Sequence, residues 1–183
     1  MSRQARSEAP PHAPPPVERT AAGFVEAFRD FWSAPSLERM GELLRDDVVL
    51  VQPLSPPMHG LDESRRGFAT IFAWLPDLRA EVDRWSASGE VVFIEFRLRA
   101  TIGGRPFEWP AVDRFVLDEC GMARERISYF DPFPLLGAAL TRPSGWLRLV
   151  RSGAAASLFR GGRRASPASG TRPISGLSRH EAS

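Results

Sequence analysis

The sequence predicts an α+β fold, with three N-terminal helices packed on one face of a curved, mostly antiparallel sheet. Three observations lead there. Apolar residues recur at three- and four-residue steps in the first half of the chain, four segments after Pro76 alternate apolar and polar, and short polar or glycine-bearing turns join those segments. Helices first and a run of strands afterwards is the order of an α+β domain, not of alternating βαβ units.

From Glu18 to Trp32, the residues Ala21, Phe24, Val25, Phe28, Phe31 and Trp32 form one apolar helix face, which Pro35 ends. Ser36 is placed to cap a second helix through Leu44, with Leu37, Met40, Leu43 and Leu44 inward, and "VVLVQPL" follows as a short buried strand. Beyond the loop "SPPMHG", a third helix starts at Asp62 or Ser64 and carries Phe68, Ile71, Phe72 and Leu75 inward as far as Pro76. Strands are expected at about 78–86, 90–101, 106–118 and 123–131, joined by "ASG", "GG" and "DECG". A last helical piece over about 134–152, interrupted at Pro143, brings Leu135, Leu136, Leu140, Trp146, Leu147 and Leu149 back to the body or to a partner.

With 183 residues, the chain has room for one ordinary domain, expected over 18–150. The Pro-rich leader 1–17 and the basic tail 151–183 are too polar to offset the entropy of ordering and are expected to be disordered. All 24 cationic residues are Arg, against 22 acidic ones, so the net charge is only +2. In the tail, Arg151, Arg160, Arg163, Arg164, Arg172 and Arg179 face only Glu181, without interleaved aromatics or a nucleic-acid motif. A solvated extension is the expectation, with neither nucleic acid nor membrane as partner. Cys120 is the one cysteine, which excludes an internal disulfide, and no CxxC or Cys/His cluster suggests a metal. No apolar run reaches the roughly 18 residues a membrane span needs, and the N-terminus has no signal-peptide core, so a cytoplasmic protein is expected.

Two acids stand out within the strand pattern. On 106–118, Trp109, Ala111, Asp113, Phe115 and Leu117 share a face; on 123–131, Glu125, Ile127, Tyr129 and Asp131 do. A hairpin turning around Glu119–Cys120 gives opposing positions that sum to about 240, so Asp113 is expected opposite Ile127 and Asp131 opposite Trp109, on one concave side. A carboxyl there loses hydration, which favours its neutral, proton-donating form. The structural alternative is that Asp113 is satisfied by Arg114, Arg126 or a backbone amide, and that Asp131 caps the turn before Pro132. On "VVFIEFRLRATI", Glu95 and Arg97 lie opposite Ile94 and Phe96, either lining a pocket or forming a charged outer face.

The motifs "LLRDDVVLVQP", "PPMHG", "AVDRFVLDECG" and "RERISYFDP", in this order of elements, resemble the nuclear transport factor 2 superfamily, and within it the SnoaL-like proteins, over about residues 20–140. The resemblance implies a cone-shaped fold with one pocket, on which relatives act as isomerases, cyclases, dehydratases, epoxide hydrolases or non-catalytic binders. The ketosteroid isomerase branch has its base where this chain has Gln52 and an oxyanion Tyr where it has Phe28, while its oxyanion Asp falls on Asp113. The epoxide hydrolase branch shares the ending Tyr129-Phe130-Asp131, and a one-residue shift would bring Glu95 and Arg97 to the other members of its triad. Homodimerisation is expected from the resemblance alone.

The site expected from these residues has Asp113 as acid and Asp131 or Glu95 as base, with Gln52, Tyr129, Trp109, Phe28, His59 and Arg97 contacting a small, largely apolar molecule. The chemistry would need no cofactor. The rival is a non-catalytic cone that stores a ligand or receives a protein partner.

Overall fold

The computed structural model describes residues 16–155. Helix α1 (Pro16–Ser33) forms where the apolar spacing places it and buries Ala21, Phe24, Val25, Phe28, Phe31 and Trp32. The expected second helix is only a 3-10 turn, Glu38–Glu42. Between Pro35 and the following strand there is too little chain, interrupted by Gly41, to offset the cost of nucleating an α-helix. Met40, Leu43 and Leu44 are buried all the same, because a 3-10 turn keeps a similar inward spacing.

Strand β1 (Leu44–Val51) is followed by the two-residue strand β2 (Met58–His59), inside the segment read as a loop. Helix α2 (Leu61–Trp74) begins after Gly60, whose φ of 81° suits glycine. The helix start is tied back by the Glu63 carboxylate, which accepts from the His59 backbone N–H at 2.8 Å. Strands β3 (Arg79–Ser88), β4 (Val91–Ile102), β5 (Arg105–Leu117) and β6 (Ala123–Tyr129) match the expected strands to within a few residues. They form one six-stranded sheet, ordered β2-β1-β6-β5-β4-β3, in which only the β1–β6 pairing is parallel. The α+β class is as expected.

The helices cover one face of this sheet. Ile94, Phe96 and Leu98 of β4 and Trp109, Ala111, Asp113 and Phe115 of β5 point inward, where Phe28 packs edge-on against Phe96 and Phe115 at centroid distances of 5.3 and 5.6 Å. The other face carries cross-strand ion pairs, including Arg97 with Asp83 and Arg99 with Glu108. Such exposed pairs contribute little each and mainly keep that face hydrated.

After β6, Pro143 splits the terminal helical piece into α3 (Pro132–Thr141), a 3-10 turn (Pro143–Gly145) and α4 (Trp146–Arg151). Leu135 packs into the core, but Leu140, Trp146 and Leu147, expected to return to the body or a partner, are exposed in the single chain. No described helix is long and apolar enough to cross a membrane. The expected leader 1–17 and tail 151–183 lie outside the described residues, apart from 16–17 and 151–155.

Candidate functional site

A cavity of about 130 Å³ lies between α1, α2 and the inner face of the sheet. Its apolar wall includes Trp32 from α1, Phe68, Ile71 and Trp74 from α2, Leu98 from β4, Trp109 from β5, and Phe130 and Leu135 beyond β6. The segment Gln52–Ser55, continuing from β1, closes another side. Within it Leu54 has a φ of 64°, the one described non-glycine residue with positive φ. A side chain held that way costs about 1–3 kcal/mol and persists only where the surroundings over-determine it.

Among the described residues the one charged side chain on the wall is Arg126, joined by the polar groups of Gln52, Ser55, Thr70 and Ser128. Arg126 is 8% exposed and rests on two supports. Its Nε–H donates to Oδ2 of Asp113 at 2.5 Å, and its guanidinium lies 5.7 Å from the ring centre of Phe68. A longer contact, 3.4 Å, runs from Nη1 to Oε1 of Gln52, while Nη2 donates to no group among the described residues. Asp113 is 0% exposed and is not among the lining residues; it stands behind Arg126 as its counter-ion. Two buried polar atoms among the described residues have no hydrogen-bond partner: Oδ1 of Asp113 and the indole Nε1 of Trp109.

Arg126 faces inward because β6 contains an irregularity. Leu117 pairs with Ala123, summing to the expected 240, but from Val116 with Glu125 onward the sum is 241, giving Asp113 opposite Ser128 and Val112 opposite Tyr129. One extra residue near Arg124 turns every later β6 side chain to the other face. The expectation that Ile127, Tyr129 and Asp131 share the concave face with Asp113 is therefore corrected; Arg126 and Ser128 occupy it.

The other candidates distribute as follows. Gln52 and Trp109 line the cavity. Phe28 lies one layer deeper, against an adjoining void of about 30 Å³ that also touches Trp32, Phe68 and Arg126. Tyr129 is 51% exposed on the outer sheet face. Glu95 and Arg97 lie on that face too, paired with Arg84 and Asp83. The bonded guanidinium of Arg84 holds the Glu95 carboxyl below the ordinary carboxylate range, which makes it a weaker base. His59 is exposed on β2, away from the cavity lining.

Asp131 is exposed and caps α3, accepting from the Phe133 backbone N–H at 2.9 Å. Asp131→Ala is accordingly expected to cost about 1 kcal/mol in urea denaturation, with ligand affinity of the cavity unchanged in calorimetry. A loss of binding with intact stability would return Asp131 to the site.

Arg126 and Ser128 as wall groups, and Pro53–Ser55 of the turn that begins at Gln52, are what residue reading missed at the site. Asp113 itself was the available signal, because a buried carboxylate in a strand requires a cation opposite it, and the facing strand offers Arg124 and Arg126.

A SnoaL-like domain model matches residues 25–126, more than half of the 183. No curated protein matches the chain. Among solved structures, a SnoaL-like protein of Jannaschia sp. CCS1 with a provisional polyketide-cyclase assignment superposes with a TM-score of 0.62 at 18% identity, covering 70% of this chain and 97% of its own. An NTF2-like protein of unknown function from Burkholderia pseudomallei gives 0.59 at 20% identity, covering 66% and 97%. An LEH-like epoxide hydrolase of M. tuberculosis gives 0.56 at 19%, covering 70% and 96%. At these identities the likeness shows a shared fold.

Proposed function

This chain belongs to the SnoaL-like domain family, and we propose on that premise that its cavity holds a small, largely apolar organic molecule without converting it by side-chain acid/base chemistry. The observation that carries this reading is the make-up of the wall. Among the described lining residues there is no Asp, Glu, His, Cys or Tyr, so no side chain in contact with a ligand there is suited to exchange a proton near neutral pH. What remains is an aromatic and aliphatic enclosure with a few polar groups that orient a guest, the usual make-up of a binding pocket.

A second reading keeps Asp113 as the working acid or base. Its Oδ1 is buried and without a protein donor, so a ligand group that displaced Arg126 would meet it. The two readings separate on one experiment. A thermal-shift screen of hydrophobic metabolites identifies a ligand, and mass analysis after incubation with the protein reads its fate. Unchanged ligand with wild type and Asp113→Asn alike supports binding alone; product with wild type that disappears with Asp113→Asn overturns it.

The assembly we propose is a homodimer through the outer sheet face. Phe93, opposite Arg114, and Tyr129, opposite Val112, are exposed there, although a solvated strand face usually carries polar groups. Light scattering is expected to give twice the chain mass, and Tyr129→Arg to halve it.

A further inference from the structure

We infer that the ligand is an anion of single-ring size, a monocyclic aromatic carboxylate or its close equivalent, with its carboxylate on Arg126. This deepens the binding function proposed above and rests on it. The hydrogen-bonding capacity of the wall is unbalanced toward donors. Among the described lining residues, Arg126 supplies the one cation, with its Nη2 unengaged, and Ser55, Thr70 and Ser128 add hydroxyls, while no carboxylate lines the cavity. Hydrogen bonds to an ionised group are stronger than those between neutral groups, so a ligand bringing acceptor oxygens is favoured at Nη2.

The guanidinium is also oriented in advance. Asp113 takes its Nε edge, its central carbon sits over the Phe68 ring and Nη1 makes only the long contact to Gln52, leaving the Nη edge, and Nη2 above all, as the part available to a guest. A planar fork of N–H groups matches a planar carboxylate better than it matches a single carbonyl oxygen. Asp113 thus serves as a positioning residue, holding the recognition group without touching the ligand.

Size and wall chemistry set the remainder of the molecule. An engineered apolar cavity of about 150 Å³ takes benzene, so the cavity of about 130 Å³ in this chain accommodates one ring more readily than a fused system. Trp32, Phe68, Trp74 and Trp109 offer faces and edges to such a ring.

The test uses the full chain and three probes of nearly equal size, benzoate, toluene and benzylamine, titrated by calorimetry at neutral pH. Benzoate is expected to bind at least ten-fold more tightly than toluene, and benzylamine more weakly than either. Toluene binding as tightly as benzoate, or benzylamine more tightly, would overturn the anion assignment while leaving the apolar pocket standing. No binding by any of the three would remove both.

Because Arg126→Met alone exposes the protein to unfolding, the specific control is the double variant Asp113→Asn with Arg126→Gln, which leaves no isolated buried charge. It is expected to retain toluene within two-fold of wild type, showing an intact cavity, and to lose benzoate affinity by at least ten-fold. Benzoate affinity unchanged in that variant would show that Arg126 is not the anchor, and the proposal would fall.

Discussion

Arg126→Met is expected to destabilise the protein by about 3–5 kcal/mol, the range for removing one partner of a buried ion pair. The size follows from what remains behind. Asp113 is fully buried, its carboxylate has Arg126 as its only hydrogen-bonding partner among the described residues, and its Oδ1 has none. Methionine fills much of the space of the arginine stem but leaves the carboxylate with nothing to offset its desolvation. Urea denaturation would show the midpoint falling with the slope unchanged, the sign of altered stability without altered compactness. Asp113→Asn in the same background is expected to restore most of the loss, because buried pairs replaced together are often neutral. A single-variant loss under about 1 kcal/mol would mean that Asp113 finds another partner, and the account of Arg126 as a group fixed from behind would fail.

That pair also marks where sequence reading stops. Asp113 was legible: an acid in register with Trp109, Ala111 and Phe115 has to be inside if they are. Its partner was legible only as one of three candidates, Arg114, Arg126 or a backbone amide, because Arg124 and Glu125 are both polar and the extra residue near them leaves no visible break in the apolar alternation. The alternation of Ile127 and Tyr129 then pointed to the wrong face, since the outer sheet face is itself partly apolar around Phe93, Val112 and Tyr129. The α-helices at both ends and the four antiparallel strands follow from periodicity and from turn residues such as Gly103 and Gly121, whose φ values of 59° and 80° those turns require. The turn Gln52–Ser55 carries no period to read, and the left-handed Leu54 within it breaks a local rule, as residues at functional sites often do.

Phe28→Ala is the second substitution expected to have a large effect, at about 3–5 kcal/mol, the usual cost of emptying a buried aromatic position. Phe28 is buried and meets Phe96, Phe115 and Trp32 at centroid distances of 5.3, 5.6 and 6.2 Å. With so many rings fixed around it, the site collapses poorly, which puts the cost toward the upper end of that range. The substitution has a further consequence peculiar to this place in the fold. Phe28 borders the void of about 30 Å³, and Trp32, Phe68 and Arg126 line both that void and the cavity of about 130 Å³. Removing the ring is expected to join the two spaces, so that the variant, though less stable, binds naphthalene at least ten-fold more tightly than wild type does. Denaturation midpoints read the first effect and calorimetry the second. A loss of stability without any gain for the two-ring probe would mean that Trp32 or Phe68 moves into the vacated volume, leaving Phe28 as core packing with no part in setting the depth of the pocket.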